Sequence, residues 1–369
     1  MKKTCFHEVN LAAGAKMVEM FGYYLPLEYA SGGKEEHIGT RLRVSLCDLD
    51  YMAEFKITGN GSEEFLHKLL TTDVKNQKIG QIKYTAICDD NGLMQDDGTI
   101  WKFSDQSFVL ITGDEGDEEW IIKESKGFEV TIENITTKWT TLALQGPKAA
   151  DVLEKAMDVN TKAIRFNNFI ETKFNGFYCI VDRMGYTGSG GFELHFDSSH
   201  AKEVWNKLME CGKKYDIVPC GQMALESLRQ EAGYLLVGNE HSKEINPIEA
   251  GIDFVVKLDK DDFNGKSALL QIAKEGVSKK LVWFKLKNGE VAKTGDLIYL
   301  YGKQISTVTS GSYSPTYNQG TAMGYVPAGC TNTSFSYTIM IDGKSAIAKM
   351  SSVPLYDQDN TTTQGLTRK

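Results

Sequence analysis

The sequence predicts a mixed α+β protein, with two related α+β units followed by a small antiparallel β-barrel or sandwich. Two observations lead to this prediction. A strand–helix design occurs twice in the first half of the chain, and from about residue 278 the sequence changes to short β-type runs separated by turn residues. The length of 369 residues allows two or three domains.

The repeated design begins with AEFKITGNGSEEFLHKLLTTDV and returns in TTLALQGPKAADVLEKAMDV. Each copy predicts a strand that ends at a glycine, Gly59 or Gly146, and then a helix, which Pro147 helps to start in the second copy. Each helix carries one core-facing apolar stripe. The stripes are Phe65, Leu66, Leu69 and Leu70 in the first helix and Val152, Leu153, Ala156 and Met157 in the second. A repeat this long indicates a duplicated domain.

The segments that follow the two helices also correspond. The first copy continues with a hairpin that turns at residues 90–92, a strand SFVLITG and an acidic helix GDEEWIIKES. The second copy turns at Asn175 and Gly176 and continues with a strand GFELHF and a helix from Ser199 onward. We therefore predict two split βαβ units.

The C-terminal part of the chain predicts β structure throughout. Its runs are KKLVWFKL, GDLIYLYG, KQISTVTSG, GTAMGYV, SFSYTIMID and SAIAKMSS. Short strands with Gly, Asn, Pro and Ser between them are typical of a small antiparallel barrel or sandwich. Residues 358–369 are polar, and we expect them to form a flexible tail.

Composition argues against several classes of protein. The formal net charge of −8 disfavours nucleic acid as a partner, and no stretch approaches the roughly 20 apolar residues of a membrane span. The N-terminus has no apolar core of a secretory signal. Seven scattered cysteines without a C-x-x-C motif indicate reduced thiols in a cytoplasmic protein. The six histidines show no metal-ligand spacing, so no metal site is predicted.

An acidic pair, Asp96 and Asp97, stands just before a predicted strand that starts at Thr99. Either residue alone is explained more simply as a solvated strand end. As a pair they are more suggestive, because alternation along a strand sends them to opposite faces and one must point inward. A buried carboxylate next to a ligand amine can act as a general acid or base, or stabilise a developing cation.

A glycine-rich loop is the second candidate site, in DRMGYTGSGGFELHF. It allows two interpretations: a mobile hairpin with a solvated Glu193, or a loop that approaches a flat ligand, on which Tyr186 stacks while Glu193 accepts two N–H groups. The loop lacks a nucleotide-binding fingerprint, and FNGKSALL lacks the first glycine of a P-loop. No G-x-S-x-G motif supports a serine hydrolase.

Several blocks together resemble the glycine cleavage system T-protein family, the folate-dependent aminomethyltransferases. The blocks are GAKMVEMFGYYLPLEY, EEHIGTR, YTAICDDNGLMQDDGTIW, LALQGP, GYTGSGGFEL, SLRQEAGYLLVGNE, NPIEAGIDF, DFNGKSAL, TSGSYSPT and AMGYV. They follow one another in the family's order over residues 7–355. SLRQEAGYLLVGNE and DFVVKLDKDDF also resemble the folate domains of dimethylglycine and sarcosine dehydrogenases.

The resemblance implies a three-domain cloverleaf with tetrahydrofolate in a central channel. Residues 1–50 and 140–220 would form the first α+β domain, and residues 51–139 and 221–276 the second. Residues 277–357 would form the C-terminal β-barrel.

The resemblance also assigns roles in the site. Asp96 matches the family's essential aspartate, which lies beside the folate nitrogens that accept the one-carbon unit. Tyr84 matches a tyrosine that contacts the pterin, and Glu193 a glutamate that pairs with pterin N–H groups. Tyr186 and Arg183 match glycine-loop positions nearby.

Three further positions depart from the family pattern. Leu225 stands where an arginine usually binds the folate, Phe254 replaces a tryptophan, and Thr112 replaces an asparagine. Loss of one charge-assisted hydrogen bond costs about 1.5–3 kcal/mol. Phe254 keeps an aromatic face but lacks the indole N–H.

Three functions follow from the resemblance. The first is aminomethyl transfer from a lipoylated carrier protein (H-protein) to tetrahydrofolate. The second is a tetrahydrofolate-dependent demethylase that takes a small-molecule methyl donor, a methylated amine or sulfonium osmolyte, and needs no carrier. The third is a folate-binding protein without catalysis, which the retained Asp96 disfavours. None of the three requires nucleic acid or a membrane.

Overall fold

A computed structural model gives the fold and describes residues 1–287, 289–357 and 361–364. Most of the predicted flexible tail, residues 358–360 and 365–369, lies outside the described residues. Among the described residues, no helix is both long and apolar enough to cross a membrane.

The described part of the chain forms eight α-helices and twenty strands. The helices are α1 (His7–Ala12), α2 (Gly33–Leu42), α3 (Ser62–Leu69), α4 (Asp117–Glu124), α5 (Ala149–Ala156), α6 (Ala201–Gly212), α7 (Gln222–Ala232) and α8 (Lys266–Glu275). The strands are β1 (Lys2–Lys3), β2 (Lys16–Met20), β3 (Tyr23–Glu28), β4 (Ser45–Asp48), β5 (Ala53–Thr58), β6 (Ile82–Cys88), β7 (Met94–Ser104), β8 (Ser107–Thr112), β9 (Thr131–Asn134), β10 (Trp139–Gln145), β11 (Phe169–Phe174), β12 (Phe177–Asp182), β13 (Gly191–Asp197), β14 (Val218–Cys220), β15 (Lys279–Leu286), β16 (Leu297–Leu300), β17 (Lys303–Ser314), β18 (Gln319–Pro327), β19 (Tyr337–Ile341) and β20 (Lys344–Ser351).

The predicted duplication is confirmed by the order of strands in the two main sheets. One sheet has the order β6-β7-β8-β5-β9, and the other has β11-β12-β13-β10-β4-β14. In each sheet a strand leads through a helix to three antiparallel strands, the last of which pairs with the first strand. Strands β5 and β7, and likewise β10 and β12, therefore run parallel to each other with one antiparallel strand between them. In the six-stranded sheet, β14 also pairs directly with β4 in parallel.

Each main sheet is covered by helices on one face. Helices α3 and α4 pack on the five-stranded sheet, and α5 and α6 on the six-stranded sheet. The apolar stripes that the sequence predicted for α3 and α5 are buried in these contacts. The other faces of the two sheets meet through a smaller cluster, in which Trp101 stacks on Phe169 with ring centroids 5.1 Å apart. By strand alternation, Tyr84, Asp97 and Glu193 lie on these facing sides of their strands, whereas Asp96 lies on the side of β7 that α3 and α4 cover.

The C-terminal strands close into a barrel of order β15-β18-β17-β16-β19-β20, which decides between the predicted barrel and sandwich. Helix α7 links this barrel to α2. Glu231 on α7 binds Arg41 at 2.8 Å, lies 3.3 Å from His37 and accepts a hydrogen bond from Ser314 of the barrel. The domain boundaries given above stay a prediction.

Candidate active site

Asp96 and Asp97 lie within a strand and not before it. Strand β7 begins at Met94, five residues earlier than the predicted start at Thr99. The two aspartates pair with Ile87 and Ala86 of β6 across the hairpin. Tight pairing with β6 holds them in strand conformation despite their low intrinsic preference for it.

Asp96 is the inward-facing member of the pair, only 1% exposed. Its Oδ1 accepts a hydrogen bond from the Asp97 backbone N–H at 2.7 Å, and its Oδ2 accepts one from Gly113 at 3.1 Å. Burial, and after it the neighbouring Asp117 carboxyl group, raise the pKa of Asp96 well above its usual range. Asp96 therefore holds a proton at neutral pH and can donate it.

Asp117 interacts with Asp96, and the sequence gave no indication of this residue. It is the first residue of α4, where the helix N-terminus favours a negative charge. Burial raises its pKa, and interactions with Asp96 and Thr112 lower it. The net effect still raises the pKa of Asp117, but the interaction between the two carboxyl groups raises the pKa of Asp96 and lowers that of Asp117, which favours the proton on Asp96.

Asp97 belongs to an aromatic part of the site. The Tyr84 hydroxyl donates to Asp97 Oδ2 at 2.5 Å, and burial, with Asp97 next, raises the pKa of Tyr84 well above its usual range. The Phe254 ring lies 6.2 Å from that of Tyr84 and is 62% exposed. Tyr84, Asp96 and Phe254 are thus brought together.

His241 faces both aspartates. Its Nε2 lies 3.4 Å from Asp96 Oδ1, and its Nδ1 lies 3.0 Å from Asp97 Oδ1. The sequence gave no signal for this residue, because it is distant from both aspartates along the chain and has no histidine partner at ligand spacing.

The glycine loop brings Tyr186 to the same region. Its hydroxyl donates to the Leu235 carbonyl, and its ring stacks on Tyr234 at 5.6 Å. Burial raises the pKa of Tyr186 well above its usual range, and the nearby Asp97 charge adds to this effect. Tyr186 also packs against the apolar cluster that contains the buried Leu225.

Glu193 lies in a second acidic cluster, on β13. It pairs across the sheet with Asp182, which contacts His195 Nε2 at 2.7 Å. Burial, and then the charge of Asp182, raise the pKa of Glu193 to about 8. Burial lowers the pKa of His195 to about 4, so this imidazole is neutral at pH 7.

Two further predicted site residues are Thr112 and Arg183. Thr112 is buried at the end of β8, next to Gly113, whose N–H donates to Asp96. Arg183 donates to the carbonyls of Ile164 and Gln364, so backbone oxygens occupy two of its donors. A surface cavity of about 360 Å³ lies elsewhere, between α3 and residues 261–264, and none of the predicted site residues lines it.

The fold and the site define a class: a duplicated α+β protein with a C-terminal barrel, which holds a buried carboxyl group of raised pKa beside aromatic rings. Residues 6–260 match the GCVT N-terminal domain, and residues 279–357 match the glycine cleavage T-protein C-terminal barrel domain. The chain belongs to the glycine cleavage T-protein family.

Individual relatives span almost the whole chain. A protein named aminomethyltransferase from Halothermothrix orenii is 36% identical over 96% of this chain and 99% of its own length. Another of that name, from Thermoanaerobacter sp. (strain X514), is 36% identical over 97% and 98%. The crystal structure of glycine cleavage system aminomethyltransferase T from Bartonella henselae matches with a TM-score of 0.90, at 29% identity over 97% of this chain and 98% of that one.

Proposed function

We propose that the chain is an aminomethyltransferase, which moves a one-carbon unit from an aminomethyl group on a lipoylated carrier protein to tetrahydrofolate and releases ammonia. Family membership and the names of the relatives support this function. The demethylase and the non-catalytic folate-binding protein are not favoured by these comparisons.

The observation that carries the proposal is the buried Asp96 carboxyl group, which lies next to Asp97 and whose pKa is raised by burial and by the neighbouring Asp117. Tetrahydrofolate, when bound, supplies the two nitrogens that take up the one-carbon unit. Asp96 holds a proton for the departing amine, which leaves more easily once it is protonated. Asp97, fixed by the Tyr84 hydroxyl, stabilises positive charge that develops at the transferred carbon.

The surrounding residues fit a flat ligand rich in N–H groups. Glu193 is partly accessible, and no group in the described part of the chain hydrogen-bonds to its carboxylate. It can therefore accept two ligand N–H groups at once. Tyr84 and the exposed Phe254 offer aromatic faces on which a pterin ring can stack.

Leu225 weakens this site relative to an arginine in its place. The side chain is buried in an apolar cluster with Cys47 and Ala143 and offers the ligand no hydrogen bond. We expect the missing charge-assisted bond to cost about 1.5–3 kcal/mol of folate binding. Contact with Phe254 and Tyr84 offsets part of this loss.

The proposed partner is a lipoylated carrier protein, and the proposed compartment is the cytoplasm. A carrier delivers the aminomethyl group on a long flexible arm, which can reach a buried acid such as Asp96. The proposal of a cytoplasmic location is based on the cysteines, since all seven are free thiols. Free thiols suit a reducing environment.

Turnover of Asp96→Asn tests the catalytic role. Asparagine has the same shape but holds no transferable proton, so we expect turnover to fall at least about 100-fold while tetrahydrofolate binding and the melting temperature stay near wild type. Asp90→Asn removes an exposed carboxylate from the same hairpin and should behave like wild type. Full activity of Asp96→Asn would contradict the proposal.

A donor screen separates the two catalytic functions. Purified protein is supplied with tetrahydrofolate and either an aminomethylated lipoyl carrier or free methylated amines and sulfonium compounds. Turnover with the carrier alone supports the proposal, and turnover with free donors alone supports the demethylase. If calorimetry detects no tetrahydrofolate binding by the folded wild type, both are wrong.

A further inference from the structure

His241 is a buried imidazole whose ring lies between the two aspartates of β7. It is 1% exposed, and neither ring nitrogen forms a hydrogen bond of good geometry within the described residues. Its Nδ1 lies 3.0 Å from Asp97 Oδ1, and its Nε2 lies 3.4 Å from Asp96 Oδ1. A buried polar group normally has a partner, and here the two carboxyl groups of the site are the candidates.

A rigid anchor holds His241 in this place. The preceding residue, Glu240, binds Arg229 of α7 at 2.6 Å, and its carbonyl accepts a hydrogen bond from Tyr325 of the barrel at 2.5 Å. The turn closes through Gly238, whose positive φ of 81° suits glycine and whose N–H donates to the His241 carbonyl. The imidazole is therefore positioned by α7 and the barrel, independently of the carboxylates it faces.

The groups around His241 are predominantly acidic. Asp96 and Asp97 face it from β7, Asp117 approaches from α4, and Tyr84 of β6 lies behind Asp97. A positive charge on His241 lowers the pKa of Asp117. The imidazole is thus placed to act as the positive counterpart of three carboxyl groups.

The contact geometry favours a ring with two protons over a metal ligand. Nδ1 faces Asp97, and Nε2 faces Asp96. One ligand atom from each of Asp96, Asp97 and His241 lies within 4.8 Å of the others, but a metal ion would bind only one ring nitrogen and leave the other nitrogen facing a carboxylate without a bond. A ring protonated on both nitrogens can donate to each carboxylate separately.

We propose that His241 is a positioning residue for the aminomethyl transfer. With both nitrogens protonated, it directs one N–H toward Asp97 and one toward Asp96. It thereby compensates the negative charge that Asp96 gains when it gives its proton to the departing amine. This inference rests on the proposed function.

The protons of the proposed reaction balance. Two N–H protons leave the folate nitrogens as two C–N bonds form to the transferred carbon. One proton is taken up by the amine as its C–N bond breaks, and the other by sulfur as its C–S bond breaks. Asp96 becomes an anion between releasing and regaining a proton, and the charge on His241 makes that anion less costly.

The His241→Gln variant tests this role through kinetics. We expect kcat to fall about 10- to 100-fold and KM for tetrahydrofolate to change less than about threefold, because the lost charge matters only while Asp96 is an anion. One limb of the kcat–pH profile should disappear. His67→Gln replaces another buried histidine, on α3, and should keep the wild-type profile.

If His241→Gln does not fold, the proposal can still be tested by measuring the protonation of the His241 ring in the wild type. Nitrogen NMR of the wild type at pH 7 should show protons on both nitrogens of His241, and Asp97→Asn should reduce that protonation. A singly protonated ring in the folded wild type overturns the proposal.

The two proposals fail in different ways. Wild-type kcat and pH profile in His241→Gln, with an active wild type, would refute the role of His241 alone. A folded wild type that transfers nothing from an aminomethylated carrier refutes the proposed function, and the role of His241 with it.

Discussion

Asp96 and Asp117 differ in charge because their surroundings differ. Asp117 opens α4, and the partial positive charge of the helix terminus stabilises its carboxylate. Asp96 lies inside β7, where two backbone N–H groups do not offset burial and the neighbouring negative charges. One fold thus holds an acid and a carboxylate side by side, which is the arrangement that proton transfer at neutral pH requires.

Glu193 should make tetrahydrofolate binding depend on pH. Its pKa of about 8 in the free protein means that the carboxyl is mostly protonated at pH 7, whereas a carboxylate is needed to accept two N–H groups. Binding then releases a proton, so Kd should fall by up to about tenfold per pH unit below pH 8 and level off above it. Titration calorimetry in buffers of different ionisation heat measures both effects.

Glu193→Gln is the matched variant for this pH dependence. It cannot ionise, so its affinity should be weaker and nearly independent of pH. A wild-type affinity that stays constant from pH 6 to pH 9 would contradict a pterin contact at Glu193.

At the scale of elements, the site depends on how closely β7 approaches β8. Gly98 follows the acidic pair, and a Cβ at this position would lie 2.3 Å from the Ile111 carbonyl oxygen. The absence of a side chain lets the two strands pair here and brings Gly113, just beyond β8, within hydrogen-bond distance of Asp96.

Replacing Gly98 with alanine should therefore affect both stability and activity. We expect a loss of about 1–3 kcal/mol in the free energy of unfolding, because the added methyl group pushes β8 away. The same shift moves the Gly113 N–H from Asp96 and lowers turnover. Gly329→Ala, where no atom lies within 4 Å of the new Cβ, is the control for urea unfolding and for activity. Equal stability of the two variants would show that β7 and β8 have room to adjust.

At the scale of the whole molecule, patterns repeated along the chain predicted most of the fold. The apolar stripes on α3 and α5 and the turns at Gly92 and Gly176 recur at matching points, and matching local patterns produce matching strand orders. The predicted start of β7 was wrong, because pairing with β6 holds its aspartates in the strand. The conformational preference of the individual residues does not reveal such pairing.

The site was harder to predict than the fold. The acidic pair and the glycine loop stand out in the sequence because aspartates at a strand and clustered glycines are unusual. His241 and Asp117 do not stand out, because their importance arises only when the turn after α7 and the start of α4 fold against β7. Contacts of that kind depend on tertiary packing and leave no periodic signal.

Glu231 connects three parts of the molecule, since it contacts α2 through Arg41 and the barrel through Ser314 and Thr316. Despite burial, hydrogen bonding to His37 and the charge of Arg41 lower the pKa of Glu231 to about 2. A carboxylate whose pKa is lower in the folded than in the unfolded state stabilises the fold fully above the unfolded value. That stabilisation, roughly 3 kcal/mol, is lost as the pH falls from about 5 to about 2.

Glu231→Gln should remove this contribution and leave Arg41 buried without a counter-charge. We expect the free energy of unfolding at pH 7 to fall by about 3–5 kcal/mol, and its dependence on pH between 5 and 2 to flatten relative to wild type. Glu119→Gln, at an exposed position on α4, should change neither quantity. Urea unfolding at several pH values, followed by tryptophan fluorescence, measures both. If Glu231→Gln kept the wild-type free energy of unfolding and its wild-type dependence on pH, the ion pairs of Glu231 would not stabilise the contact between the barrel and α2. The apolar contacts around α7 would then be what stabilises it.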